Sequence, residues 1–336
     1  MNETHISLAH GNGGRLMREL IDELFVTCLA SPGLDTHLDA AAIESPADDV
    51  DLLVTTDGFT VQPLEYPGGC IGSLAVHGTV NDLAVAGATP SVLTVNAFIE
   101  EGLEIATLER LVVQMGEAAR HAGVSIAAGD TKVVRRGEGG GVYFATTGIG
   151  ARPAGLDLGL HRIRAGDKLL VSGPVGDHGI AVMLAREQFG LKGELASDEA
   201  SVLPLTRALL DVPGLRFMRD PTRGGLATVA CEIASVSGHG VRLSEADVPV
   251  RDEVASVCSM LGYDPYYLAC EGRVVAAVAT DDADDALRRW RALPNGDGAE
   301  IIGQVADEEP RVILETVIGG ERYLEELEDD PLPRIC

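Results

Sequence analysis

Apolar residues recur along this chain in two rhythms that take turns, and the alternation predicts the architecture. Short β-rich runs occupy Asp51 to Thr56, Ser91 to Ile99, Val142 to Gly150, Lys168 to Ser172, Arg273 to Ala279 and Arg311 to Leu314. Between them apolar residues fall at helical spacing: Leu108, Leu111, Val112 and Met115; Leu226, Val229, Ala230 and Ile233; Ala286, Leu287, Trp290 and Leu293. Each set lies on one helix face, as a helix packed on a sheet requires. The segment from Ala151 to Asp167 mixes proline, glycine and charge without a period. It predicts a boundary, giving an N-terminal domain over 1–155, a C-terminal domain over 156–314 and a tail over 315–336. The expected fold class is α/β (α+β) in two domains.

Composition agrees and narrows the function. At roughly 100 to 200 residues per domain, 336 residues make about two, each with its own core. Forty glycines and 4% aromatics suit β/α units joined by tight turns. The net charge of −26 would repel nucleic-acid phosphates and anionic lipid, so neither a nucleic acid nor a membrane surface is an expected partner. No apolar run approaches the roughly 18 to 20 residues of a membrane span. Met1 to His10 lacks the basic and apolar stretches of a secretory signal, which predicts a cytoplasmic protein with reduced thiols. The cysteines at 28, 70, 231, 258 and 270 form no CxxC pair and read as small core residues. Cys336 differs, because it closes PLPRIC, whose two prolines predict an extended segment rather than a helix.

Five motifs carry candidate chemistry, and each has a plain structural reading beside it. HGNGG, His10 to Gly14, precedes a helical pattern; its backbone N–H groups suit a phosphate, and a ligand-free glycine turn explains it equally well. Asp57 in TTDGF, Asp82 in TVNDLAVAGATP and Asp130 in AAGDTKVV follow or adjoin apolar segments. Singly they read as caps or turn residues; as a trio they match the few carboxylates that magnesium on a polyphosphate needs. SGPVGDHG reads as a strand-to-helix turn, with a secondary anion site as its alternative. In RDPTRGGL, Arg223 suits a phosphate and Asp220 a metal, against a capped helix start. In CEGR, Glu271 stands at the edge of an apolar strand, and its surroundings in sequence decide no role.

Taken together HGNGG, NDLAVAGATP, GDTKVV, GDHG, RDPTRGGL, the EG pair before a strand and PRIC resemble the HypE family of hydrogenase maturation factors, in order and spacing over nearly the whole chain. Several also resemble the wider superfamily of aminoimidazole ribonucleotide synthetase and selenophosphate synthetase, which the final cysteine separates from HypE. The resemblance implies two α/β domains in a homodimer whose N-terminal domains pair through their sheets, with ATP and Mg2+ held by the N-terminal domain. It implies nucleotide contacts from His10, Gly11, Gly13, Gly14, Asp57, Asn81, Asp82, Asp130, Thr131, Asp220 and Arg223. Asp57, Asp82 and Asp130 would hold the metal, and Cys336, Lys132 and Glu271 would be catalytic. CEGR departs from the expected NEGK at position 270 and keeps a charge at 273. The implied activity is ATP-dependent dehydration of an S-carbamoylated C-terminal cysteine to a thiocyanate, the carbamoyl group coming from the HypF carbamoyltransferase and the cyanide going to iron on the HypC–HypD complex. A synthetase phosphorylating a free small molecule and a non-catalytic maturation scaffold are the alternatives.

Overall fold

A computed structural model of the chain describes residues 15–20, 41–43, 49–186, 195–327, 332 and 334–336. HGNGG lies outside the described residues, as does Cys28. After a short helix α1 (Arg15–Leu20), the N-terminal domain is a five-stranded sheet in the order β1-β2-β7-β5-β6. Its strands are β1 (Ala41–Ile43), β2 (Val50–Phe59), β5 (Thr89–Glu100), β6 (Ser125–Val134) and β7 (Val142–Pro153), with β3 (Glu65–Tyr66) and β4 (Gly69–Cys70) forming a small hairpin. Helices α2 (Ile71–Val85) and α3 (Ile105–Ala122) pack together, α2 on the sheet. The pleat sorts the strands: Leu53, Thr55, Asp57 and Phe59 of β2 point to the α2 side, aligned with Gly148, Thr146 and Phe144 of β7 and then Leu93, Val95 and Ala97 of β5.

The C-terminal domain is a seven-stranded sheet in the order β14-β13-β10-β12-β8-β11-β9. It comprises β8 (Lys168–Val171), β9 (Leu215–Arg219), β10 (Gly240–Ser244), β11 (Val275–Val278), β12 (Glu300–Ala306), β13 (Val312–Glu315) and β14 (Glu321–Leu324). Its helices are α4 (Asp177–Ala185), α5 (Leu203–Arg207), α6 (Gly225–Ser237), α7 (Asp252–Leu261) and α8 (Thr280–Arg291). The central strands are apolar on both faces, Val275, Ala276, Ala277 and Val278 all being buried, because α6 covers one face and α8 the other. No helix among the described residues is long and apolar enough to cross a membrane.

The strands and three amphipathic helices expected from periodicity are present, within a few residues of their bounds. One expectation needs correction. The segment expected to be tail from residue 315 onward first adds β14, which pairs with β13 from Val312–Leu324 to Glu315–Glu321 and completes the sheet. Cys270 is a fully buried core thiol accepting a hydrogen bond from the Gly176 N–H, so the departure at this position is a packing variation.

Candidate active site

The site forms where β2 and α2 of the N-terminal domain meet two loops of the C-terminal domain. Asp57 stands on the α2 side of β2, beside Gly78 of the helix, and its Oδ1 lies 3.6 Å from Arg223 Nη2. Asp82, one helical turn further along α2, accepts a hydrogen bond of 2.8 Å from Thr55 Oγ1. Arg223 comes from the turn between β9 and α6, where Gly224 and Gly225 have φ of 73° and 58°. A Cβ on Gly225 would lie 2.6 Å from the Leu268 carbonyl oxygen, so RDPTRGGL needs that glycine to seat its arginine. The Arg223 guanidinium is raised above its ordinary value foremost by negative charge at Cys336, and also by Asp57, Glu271 and Asp82.

Glu271 is, with Asp220, a buried member of the cluster, 2% exposed, with no hydrogen-bond partner for Oε1 among the described residues. Its backbone is fixed from both sides. Asp198 Oδ1 accepts from its N–H at 3.2 Å, and Asn81 Nδ2 donates to its carbonyl at 3.1 Å. Gly272 lets this happen, since a Cβ there would sit 1.9 Å from the Asp198 carbonyl oxygen. Burial, reinforced by Asp220, Asp198, Asp57 and Glu199, pushes the Glu271 carboxyl well above the ordinary range. Burial likewise raises Asp57, against the opposing pull of Arg223 and the Gly58 N–H.

The end of the chain lies in this site. Thr60 donates to the Cys336 oxygen from its N–H at 3.1 Å and from Oγ1 at 3.2 Å, and the Gln62 N–H donates to the Arg334 oxygen at 3.2 Å. Residues 334–336 therefore run antiparallel against 60–62, continuing the line of β2. Leu332 and Ile335 are buried in the core that holds Phe59, Val61, Ile180 and Leu268. Arg186 Nη2 donates to the Arg334 oxygen at 2.6 Å, and His178 Nε2 lies 2.9 Å from the Ile335 oxygen.

Of the residues singled out from sequence, the fold thus gathers Asp57, Asp82, Asp220, Arg223, Glu271 and Cys336. It does not gather Asp130, Thr131 and Lys132 with them. Gly129 aligns through Val95 and Thr146 with Asp57, so the next residue, Asp130, points to the opposite sheet face, three strand spacings or about 14 Å away. There it pairs with Lys132 at 2.7 Å; both side chains are exposed on β6 and share a face, as their spacing predicted. The three aspartates therefore form no single ligand set within one chain, and no group of three or more His, Cys, Asp or Glu suited to a metal occurs among the described residues. Asn81 is a second correction. It is fully buried, donating to Ala200 and Glu271 carbonyls and accepting from the Val202 N–H, so it joins α2 to the C-terminal domain behind the site rather than facing a ligand.

Sequence reasoning missed Thr60, His178, Arg186, Ser197 and Glu199. Glu199 accepts from Tyr66 Oη at 2.5 Å and lies 3.0 Å from His77 Nδ1, and Ser197 Oγ is 2.8 Å from His178 Nδ1. Only His178 sat in a motif that stood out, GDHG, where the glycines drew the reading toward a turn. Thr60 and Arg186 hold main-chain groups of distant segments, Ser197 and Glu199 hold distant side chains, and none of the four carries a local signature.

Comparison with known proteins agrees with this arrangement. The AIR synthase related protein N-terminal domain family matches residues 38–151, and the AIR synthase related protein C-terminal domain family matches 164–315. The chain is 45% identical over 333 residues to carbamoyl dehydratase HypE of Azotobacter vinelandii, covering 98% of this chain and 97% of that protein. It is similar to a crystal structure of a HypE–HypF complex, with TM-score 0.85 and 41% identity over 92% of this chain and 99% of that one. It is similar also to hydrogenase maturation protein HypE in complex with ATP, with TM-score 0.82 and 42% identity over 99% of this chain and 100% of that one.

Proposed function

This chain belongs to the HypE family of carbamoyl dehydratases, and on that premise we propose that it uses ATP and Mg2+ to dehydrate an S-carboxamide on its own Cys336. The observation that carries the reading is the seating of residues 334–336 along 60–62, with Cys336 beside Arg223. The substrate carrier and the reactive cluster are already in one place. HypF is the proposed carbamoyl donor, since a relative of this chain is found in complex with it, and the HypC–HypD complex is the proposed acceptor of the cyanide.

Amide oxygen is a poor leaving group, and ATP supplies the phosphoryl group that converts it into a good one; magnesium offsets the charge on the phosphates. Asp57 and Asp82 lie on the same side of the sheet and suit an ion that keeps most of its ligands as water and phosphate oxygen. Arg223 neutralises charge that builds on the oxygen under transfer. Loss of phosphate breaks the C–O bond, and removal of both amide protons makes C≡N. Glu271 is our candidate for accepting one of them, since burial and its carboxylate neighbours raise its proton affinity above that of an exposed carboxylate. In the seated tail Ile335 is buried and Cys336 half-buried, which limits the water that would compete for the activated intermediate.

Asp130 and Lys132 need a second chain. Helices cover one face of the N-terminal sheet, while the other carries the exposed Phe98 beside Lys132 and, among the described residues, ends at the edge strand β6. We assign the homodimer contact to this face, so that Asp130, Thr131 and Lys132 of one protomer reach the phosphates in the other. The competing reading, phosphorylation of a free small molecule, leaves the seated cysteine without a role. Changing Cys336 to Ser tests the two: the dehydratase reading expects ATP binding without carbamoyl acceptance or thiocyanate, and ATP turnover on an added small acceptor would favour the synthetase.

A further inference from the structure

We infer that His178 is the positioning residue that sets the depth and register of the seated tail, and that Ser197 fixes it in the tautomer this task requires. The inference rests on the proposed role of Cys336 for its consequence, though not for its geometry.

Arg334 is a bend with φ 60°, and from it to Cys336 the carbonyls find partners on alternate sides. The Arg334 and Cys336 oxygens turn toward 60–62 and are met there by the Gln62 and Thr60 N–H groups. The Ile335 oxygen between them turns away from that partner, into the protein, where the neighbouring Ile335 is 3% exposed. A buried carbonyl without a donor is costly, and the donor provided is His178 Nε2, on a side chain with no exposure at all. For Nε2 to donate, the neutral ring must keep Nδ1 as an acceptor. Ser197 Oγ–H meets that need at 2.8 Å, and the Glu199 N–H donates to Ser197 Oγ at 3.0 Å, which orients the hydroxyl. Burial holds the imidazole below its ordinary value, in keeping with a neutral ring. The Tyr66 ring meets it edge to face, with centroids 5.4 Å apart, and restricts its rotation.

The chain Glu199 to Ser197 to His178 to Ile335 begins in the loop at 195–200, which also bonds the backbone of Glu271 through Asp198. The same short loop therefore places the tail and the buried carboxyl. A tail shifted by one residue would offer His178 no carbonyl on the correct side, so the contact opposes a one-residue slip of Cys336. This is the use of GDHG: the glycines open α4, and the histidine on its first turn reads the end of the chain.

Site-resolved alkylation of Cys336 by iodoacetamide tests this in the full-length protein, with the C-terminal peptide followed by mass spectrometry. His178→Ala should raise the alkylation rate about tenfold, the ordinary effect of a lost buried hydrogen bond on an opening equilibrium. His178→Gln, whose amide nitrogen reaches the position of Nε2, should return most of the protection, and Ser197→Ala should fall between. ATP affinity should stay at the wild-type value while single-turnover dehydration of the carbamoylated chain slows. Wild-type protection in a folded His178→Ala protein would overturn the inference, as would a Gln variant no better protected than Ala. Should His178→Ala fail to fold, unchanged alkylation in Ser197→Ala overturns it alone. Alkylation reads only where the tail sits, so these outcomes stand apart from whether Cys336 is the carrier.

Discussion

At the scale of single residues the site is defined by a buried carboxyl whose proton affinity is raised. Glu271 has its folded-state pKa raised above the ordinary 4.5 by burial first and by neighbouring carboxylates after it. The folded state therefore binds more protons than the unfolded one once pH exceeds the ordinary value. The stability this holds is present below that value and drains away as pH climbs toward the folded pKa. Glu271→Gln, a match in shape for the protonated acid, should have a wild-type melting temperature near pH 4.5. It should exceed the wild type by a margin that grows with pH, while no thiocyanate forms. A constant margin across pH would show that Glu271 is ionised in the resting protein. Arg223 gives the second prediction. Arg223→Ala removes a cation placed among Asp57, Glu271 and the charge at Cys336, so Mg2+-dependent ATP binding should persist while Cys336 becomes more accessible to alkylation; calorimetry and peptide mapping read the two arms. Of these residues, motif reading reached Glu271 and Arg223 because each adjoins glycines that stand out. Thr60 acts through one hydroxyl on a distant main chain and Ser197 through one hydroxyl on a distant imidazole, which no spacing along the sequence reports.

Among the elements, α2 carries the argument. It went unread in the sequence because Ile71 to Val85 is buried almost all round, by the sheet, by α3 and by the C-terminal domain, leaving no polar stripe against which an apolar face could be seen. The exposed-face helices α3 and α8 were legible for the opposite reason. The three hydrogen bonds of the Asn81 side chain tie α2 to the loop at 200–202 and to Glu271. Asn81→Ala leaves a buried N–H and two carbonyls short of partners, a loss of about 2 to 4 kcal/mol in unfolding free energy measured by urea titration. The same change should weaken dehydration more than ATP binding, because what it loosens is the seat of Glu271; equal losses would return Asn81 to the nucleotide. Strand alternation was read correctly for Asp130 and Lys132, which share a face. What periodicity within one strand does not contain is the order of strands across the sheet, and that order separates them from Asp57.

For the whole molecule, two domains and a returning tail meet in one site, and on the proposed reading a second chain completes it. The two-domain layout was legible from the aperiodic stretch between β7 and β8. The seating of the tail was not, since it depends on partners more than a hundred residues away. If Lys132 serves the partner protomer, Lys132→Ala and Glu271→Gln proteins, inactive apart, should regain activity when mixed and allowed to exchange subunits. A mixture as inactive as its parts would return Lys132 to its own chain's site. The central claim concerns the fate of Cys336, and mass spectrometry of its C-terminal peptide reads that fate directly. After incubation with the carbamoyl donor system the peptide should gain a carboxamide, and on adding ATP and Mg2+ it should lose the mass of one water in step with phosphate release. Phosphate release with the carboxamide left intact, or water loss without ATP, would contradict it.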